Sequence, residues 1–256
     1  MNGKTAGKRG RPRSFDAEEV LTRARDVFWA GGFSGSSLDD LGAAMAMNRP
    51  SLYNAFGDKT RLYLTTLERY SAESMALIRE RLDPERPVAT GLRQIYARAI
   101  ASYLAGASGA RGCFLIGTAA TEAVGNPAVR RLLHDSLADF ERAFEARFRI
   151  AARTGEIAKE ADPVLLARMA SAILHSLAVR ARAGETRAVL EAIADGGVRM
   201  ICGSESRQRG KSEAALAVRP HLCHYLTQPA VVKGISETWR KCPFAAADAT
   251  GSSIVP

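Results

Sequence analysis

Between Ser37 and Phe56 the chain reads SLDDLGAAMAMNRPSLYNAF, and its apolar residues fit two short helices folded against each other across a tight turn. Leu38, Leu41 and Met45 recur at helical spacing, Met47 falls in the turn, and Leu52 and Phe56 stand one turn apart in the second helix. Packing these side chains together leaves Arg49, Ser51, Tyr53 and Asn54 on the other side of the second helix. Polar groups so placed can reach base edges and phosphates in a DNA major groove. Ser37 with Asp40 three residues on forms a capping signal for the first helix, and Asn48 can cap the second.

The flanking sequence agrees with a nucleic-acid partner. The chain has 256 residues, is 46% hydrophobic and 25% charged, and carries a formal net charge of +9. That composition sustains a sizeable core, and the basic excess favours an anionic partner, nucleic acid or a membrane surface. Residues 1–14 form a basic arm with Lys4, Lys8, Arg9, Arg11 and Arg13 and no acidic residue among its first thirteen. No apolar run follows it as in a signal peptide, and no stretch approaches the roughly 18 apolar residues of a membrane span. A cytoplasmic protein without a membrane partner is expected. The four cysteines, Cys113, Cys202, Cys223 and Cys242, form no CxxC pair, so a disulfide framework is not expected.

Helical periodicity continues beyond the motif. Asp16 and Glu19 make a capping box before a first helix with Val20, Leu21, Ala24, Val27 and Phe28 on one face, and Gly31 and Gly32 stop it. Gly57 ends the helix that carries Arg49, and Asp58 caps a long one running towards Pro84. Further helices are predicted near 88–106, 113–124, 127–153, 162–183 and 186–202. Asn126-Pro127 and Asp162-Pro163 each pair a capping side chain with proline at the first helical position. No alternating strand pattern interrupts them, so the fold class is all-α. The last two predicted helices carry apolar faces and many alanines, which suit a core or a four-helix face between two subunits.

These residues resemble the TetR family of transcriptional regulators. The match lies in GRPRSF (Gly10 to Phe15), VFWAGGF (Val27 to Phe33), SLDDLGAAM, NRPSLYNAFGDK (Asn48 to Lys59) and RLYLTTLERY, covering about the first 70 residues. A weaker similarity runs through RGCFLIGTAATEA (Arg111 to Ala123). The resemblance implies a helix-turn-helix DNA-binding domain over 15–57, with its motif at 37–56, joined by a long helix to a helical effector-binding and dimerisation domain over 58–202. It implies that Arg49, Ser51 and Asn54 face base edges, with Arg49 suited to bidentate contact with guanine. Tyr53, Ser37 and Lys59 match phosphate contacts, and Arg11 and Arg13 match an arm contacting the minor groove or phosphates. The expected function is a sequence-specific regulator, a homodimeric repressor released from operator DNA by a small-molecule effector. Where relatives place glycine in the turn, this chain has Ala46, at a cost of roughly 1 kcal/mol if the left-handed conformation is kept.

The body says less about its ligand. Tyr96, Tyr103, His134, Phe140, Phe144 and His175 are candidates for a cavity inside the bundle, though each also suits plain core or surface, and the effector-binding residues stay unassigned. Cys113 follows Arg111-Gly112 at an expected helix start, where a cation and a positive dipole end would lower its thiol pKa. That makes an electrophile- or oxidant-sensing regulator one alternative, and a non-specific architectural nucleic-acid-binding protein another. No nucleophile motif or phosphate-cradling glycine loop is present, so neither enzymatic activity nor a cofactor is expected. His221, Cys223, His224 and Cys242 have no usual zinc spacing, so no metal site is expected. The tail, 203–256, loses helical periodicity and is expected to be largely disordered.

Overall fold

In a computed structural model of the chain, residues 17–106 and 109–203 are described. Arg11, Arg13, Asp16, the predicted tail beyond Gly203 and its histidines and cysteines lie outside them. Among the described residues the regular structure is entirely helical. Helix α1 (Ala17–Gly31), α2 (Leu38–Met45) and α3 (Arg49–Phe56) build a small head, and α4 (Lys59–Arg81) leads into a body of α5 (Val88–Leu104), α7 (Pro127–Thr154), α8 (Pro163–Arg182) and α9 (Arg187–Cys202). Between α5 and α7 lie a π-helical turn, Leu115–Ala119, and the short α6 (Ala120–Glu122).

Local chemistry sets these boundaries. Asp58, Asn126, Asp162 and Thr186 each accept a hydrogen bond from a first-turn backbone N–H of the helix they precede. Pro127 and Pro163 stand where no backbone donor is needed. Helix α5 has no side-chain cap of its own, because Pro87 precedes it. Glu156, from the loop after α7, accepts from the Val88 N–H at 2.7 Å and supplies that cap from a distance.

The head packs on Phe28, Leu41, Met45, Leu52 and Leu62, and the body on Leu92, Tyr96, Phe144, Phe148, Leu177 and Leu190, all 2% exposed or less. Helix α8 corrects one expectation: its length and a window of mean hydropathy 1.4 are enough to cross a membrane. It packs here against α5, α7 and α9, with Ala167, Ala170, Ala178 and Ala181 buried. Alanine raises hydropathy while permitting close helix approach, so a helix packed inside a bundle can be this apolar.

The segment expected as one helix over 113–124 instead begins with the π turn. Wider turns of this kind are rare and occur frequently at functional sites. Helix α8 runs close by: a Cβ added at Gly117 within the turn would meet the Arg182 guanidinium at 2.9 Å, and one at Gly112 just before it, where φ is +65°, would meet the Ala178 carbonyl oxygen at 2.6 Å.

Four of the seven exposed large apolar side chains among the described residues lie on α8 and α9: Leu165, Val179, Val189 and Met200. Leu165, Ala172 and Val179 are exposed at seven-residue spacing, and Val189 and Met200, eleven residues apart, share a face of α9. Isolated exposed apolar residues are ordinary on a protein surface, but stripes on two adjacent helices form a patch.

Candidate nucleic-acid interface and effector cavity

Helices α2 and α3 are joined by a turn whose backbone is left-handed at Ala46 (φ 53°, ψ 39°), the one non-glycine residue with positive φ among those described. The Met47 N–H donates to the Gly42 carbonyl at 2.9 Å, and Leu41, Met45, Met47 and Leu52 are buried beneath the turn. Both helix starts carry the expected caps. Ser37 Oγ accepts from the Asp40 N–H while Asp40 returns a bond to the Ser37 N–H, and Asn48 Oδ1 accepts from the Ser51 N–H at 2.9 Å.

This packing brings Arg49, Tyr53 and Asn54 together on the solvent side of α3, with Ser51 half-buried beside them. Tyr53 is 48% exposed, so its ring is not part of the small core. Lys59, at the start of α4, lies 4.4 Å from the centroid of the Phe33 ring, a cation–π contact that restrains the side chain beside the head. The Ser37 hydroxyl is committed to its cap: it donates to Asp40 at 2.6 Å as well as accepting from the Asp40 N–H.

Asp39 is the head residue that the sequence did not single out. Arg49 Nε and Nη2 donate to its two carboxylate oxygens at 2.8 and 2.7 Å, a bidentate pair that spans the turn. The hydrogen bonds between them and the attraction of their opposite charges lower the Asp39 pKa and raise that of Arg49. The pair fixes the arginine fork on the exposed face of the head. Asp39 and Asp40 also occupy the positive end of α2, where they favour the helix but repel a phosphate; Arg49 neutralises one of them. Nothing in residue spacing signalled a contact across ten positions.

Behind the head, α1, α4, α5, α7, α8 and the π turn border a partly open cavity of about 340 Å³. Tyr103, Phe140 and His175 line it, as do Trp29, Tyr70 and Cys113. The other candidates lie elsewhere: Tyr96 is core and donates to the Ala170 carbonyl at 3.2 Å, Phe144 stacks on Phe148, and His134 is on the surface. Burial lowers the His175 pKa and favours its neutral form.

Cys113 departs from its expected chemistry. It is 9% exposed, and burial pushes its thiol pKa up, overriding the hydrogen bonds that favour the thiolate. Arg111 does not offset this, being engaged elsewhere: it pairs with Asp26 at 3.0 Å and stacks 3.8 Å from the Trp29 ring. A thiolate lowered by a neighbouring cation is therefore not what this environment creates.

The cavity wall is continuous with the head. Trp29 of α1 donates its indole N–H to the Arg111 carbonyl at 3.1 Å and packs on Tyr70 and Phe114. Tyr63 of α4 bonds Thr118 of the π turn at 2.7 Å, and Ser34 bonds Glu122 of α6 at 3.1 Å. A change in cavity shape can thus reach α1 through direct contacts.

The amino-terminal sequence, residues 20–66, matches the model for bacterial regulatory proteins of the tetR family, and residues 90–196 match the tetracyclin repressor-like C-terminal domain. The chain is 29% identical over 186 residues to the HTH-type transcriptional repressor ComR of Escherichia coli K12, spanning 73% of this chain and 89% of that one. It is 31% identical over 160 residues to the HTH-type regulator YezE of Bacillus subtilis 168, spanning 62% and 82%. Among solved structures, a cysteine mutant of the TetR family regulator CifR complexed with 26-base-pair operator DNA aligns with TM-score 0.66 and 33% identity, over 74% of this chain and 98% of that one. Reduced NemR of E. coli, 14% identical with TM-score 0.62, shares the fold. With both halves of its described structure matched, the chain belongs to the TetR family of DNA-binding transcriptional regulators.

Proposed function

We propose that this regulator is a homodimeric repressor that reads operator DNA with α3 and releases it when a small molecule fills the cavity between α1 and the body. The observation carrying this reading is the joint exposure of Arg49, Tyr53 and Asn54 on one face of a rigidly capped helix-turn-helix. The operator complex of the relative CifR, 33% identical over most of its length, supports it.

In this reading the head spans 15–57 and the body 58–202. Arg49 contacts guanine, Ser51 and Asn54 meet base edges, and Tyr53 and Lys59 hold phosphates. At α2 the Ser37 hydroxyl is occupied by its cap, so first-turn backbone N–H groups make the phosphate contact there. The arm residues Arg11 and Arg13 add charge-driven contacts outside the head. The stripes on α8 and α9 pair with those of a second copy, setting the distance between two α3 helices. Ligand binding then releases DNA only through its differential affinity for the two spacings, typically 1–3 kcal/mol of coupling.

Selection of bound duplexes from a random-sequence library tests the function. A specific regulator enriches a common motif and binds it at least about 10³-fold more tightly than scrambled duplex at the same salt. Enrichment of no motif, with steep salt dependence on every duplex, would indicate a non-specific architectural protein instead.

A further inference from the structure

The cavity's charge pattern points to the chemistry of its ligand, an inference that rests on its being the effector site. Four arginines line it, Arg25, Arg81, Arg98 and Arg111, against one acidic residue, Glu73. Arg25 shares Glu73 with Arg69, Arg81 pairs with Glu80, and Arg111 pairs with Asp26. Arg98 is a solvent-exposed member of the lining and makes no ion pair among the described residues. The Nε atoms of Arg25 and Arg111 are buried without a hydrogen-bond acceptor, the Asp26 carboxylate standing 3.9 Å from that of Arg25, and both guanidinium groups lie against the Trp29 ring, at 5.9 and 3.8 Å. A buried donor without an acceptor carries a desolvation cost that an incoming anion would relieve.

The remaining wall is apolar or neutral. Leu77, Ile78, Ile95, Phe140 and Leu174 supply hydrocarbon surface, while Ser74, Ser102 and the two tyrosines supply hydroxyl groups. Burial raises the pKa of Tyr70 and Tyr103, so both phenols stay protonated and can donate. Burial lowers the pKa of His175, so it adds no charge at neutral pH. Such walls suit a ligand with one charged end and an apolar body.

We infer that the effector of this protein is a small amphipathic organic carboxylate, its anionic group held among Arg98, Arg111 and Arg25 and its body against Ile95, Phe140 and Leu174. At 340 Å³ the cavity holds the volume of roughly eleven waters at about 30 Å³ each, which suits an aryl or branched-alkyl acid of about a dozen non-hydrogen atoms. The arginine fork matches a carboxylate in the two-point manner that a neutral amide cannot reproduce.

Phenylacetate and 3-phenylpropionate, each set against its primary amide and against inorganic phosphate, test this. The readout is quenching of Trp29 fluorescence in full-length protein with Trp239→Phe, so that only the cavity indole reports. The acids are expected to bind at least about tenfold more tightly than the amides, with phosphate weaker than both acids. Arg98→Met should remove the preference for acid over amide, and Arg98→Lys should restore part of it. Equal binding of acid and amide, an unchanged preference in R98M, phosphate binding as tightly as the acids, or no acid binding at millimolar concentration would each overturn the carboxylate assignment. Release of selected DNA by an amide would overturn the ligand class yet uphold an effector site. Cavity binding by the acids with no effect on DNA affinity would uphold the ligand chemistry and sink effector control.

Discussion

Arg49 and Asp39 show how a residue's role depends on its neighbour across the turn. Arg49→Ala is expected to lower affinity for the selected site by roughly 1–3 kcal/mol and relax one base position, whereas Lys59→Ala should weaken all duplexes alike and flatten the salt slope. Equal losses on selected and scrambled DNA for both variants, measured by fluorescence anisotropy, would refute the division of roles. Asp39→Asn removes a charge that repels phosphate and frees the Arg49 fork. It should raise affinity for scrambled DNA while narrowing the ratio of selected to scrambled binding. Ala46 keeps the left-handed turn, so Ala46→Gly should stabilise the protein by up to about 1 kcal/mol, which for head and body melting together appears as a rise in Tm of about 2–4 °C. A fall in Tm would mean that chain entropy outweighs the relieved strain. The turn position was legible because sterics depend on residue type; the Arg49–Asp39 pair was not, because it depends on how two helices cross.

At the scale of elements, capping residues made most boundaries readable: Ser37, Asn48, Asp58, Asn126 and Asp162 all act as their sequence context implies. The start of α5 near residue 88 was readable, but its cap was not, because it comes from Glu156, held in a distant loop by Arg147. Arg147 is 2% exposed and donates Nη2 to Glu156 and to the Arg86 carbonyl. Desolvation opposes the Glu156 charge, but bonds from the Val88 N–H and Arg147 outweigh it and lower its pKa. Glu156→Ala should therefore cost roughly 3 kcal/mol by stranding a buried guanidinium, measured by chemical denaturation. The carboxylate's contribution is present above its usual range near 4.5 and is lost as pH falls through the lowered folded value. His175 acts at higher pH: its neutral form is favoured in the fold, so stability is lost as pH falls from about 6.5 towards its lowered folded value. His175→Phe should flatten the decline in Tm between pH 7.5 and 5.5; an unchanged slope would place its origin elsewhere.

Across the whole molecule, the head and the exposed polar face of α3 were legible because sequence spacing on a short amphipathic motif fixes which side chains face out. The cavity was legible only in part. Periodicity could nominate Tyr103, Phe140 and His175 but could not separate them from Tyr96 and Phe144, since all five are buried or nearly so and only tertiary packing decides which border empty space. The patch on α8 and α9 follows the predicted helices, and paired Leu165→Glu and Val179→Glu changes should give a monomer by sedimentation that binds a single half-site weakly. A dimer unaffected by both changes would place the interface elsewhere. If two α3 helices held at one spacing read one operator, inserting about five base pairs between the half-sites of a selected duplex, which rotates one half-site by half a turn, must break that match. Affinity should fall to nearly that of a single half-site; affinity equal to that of the unmodified duplex would contradict it.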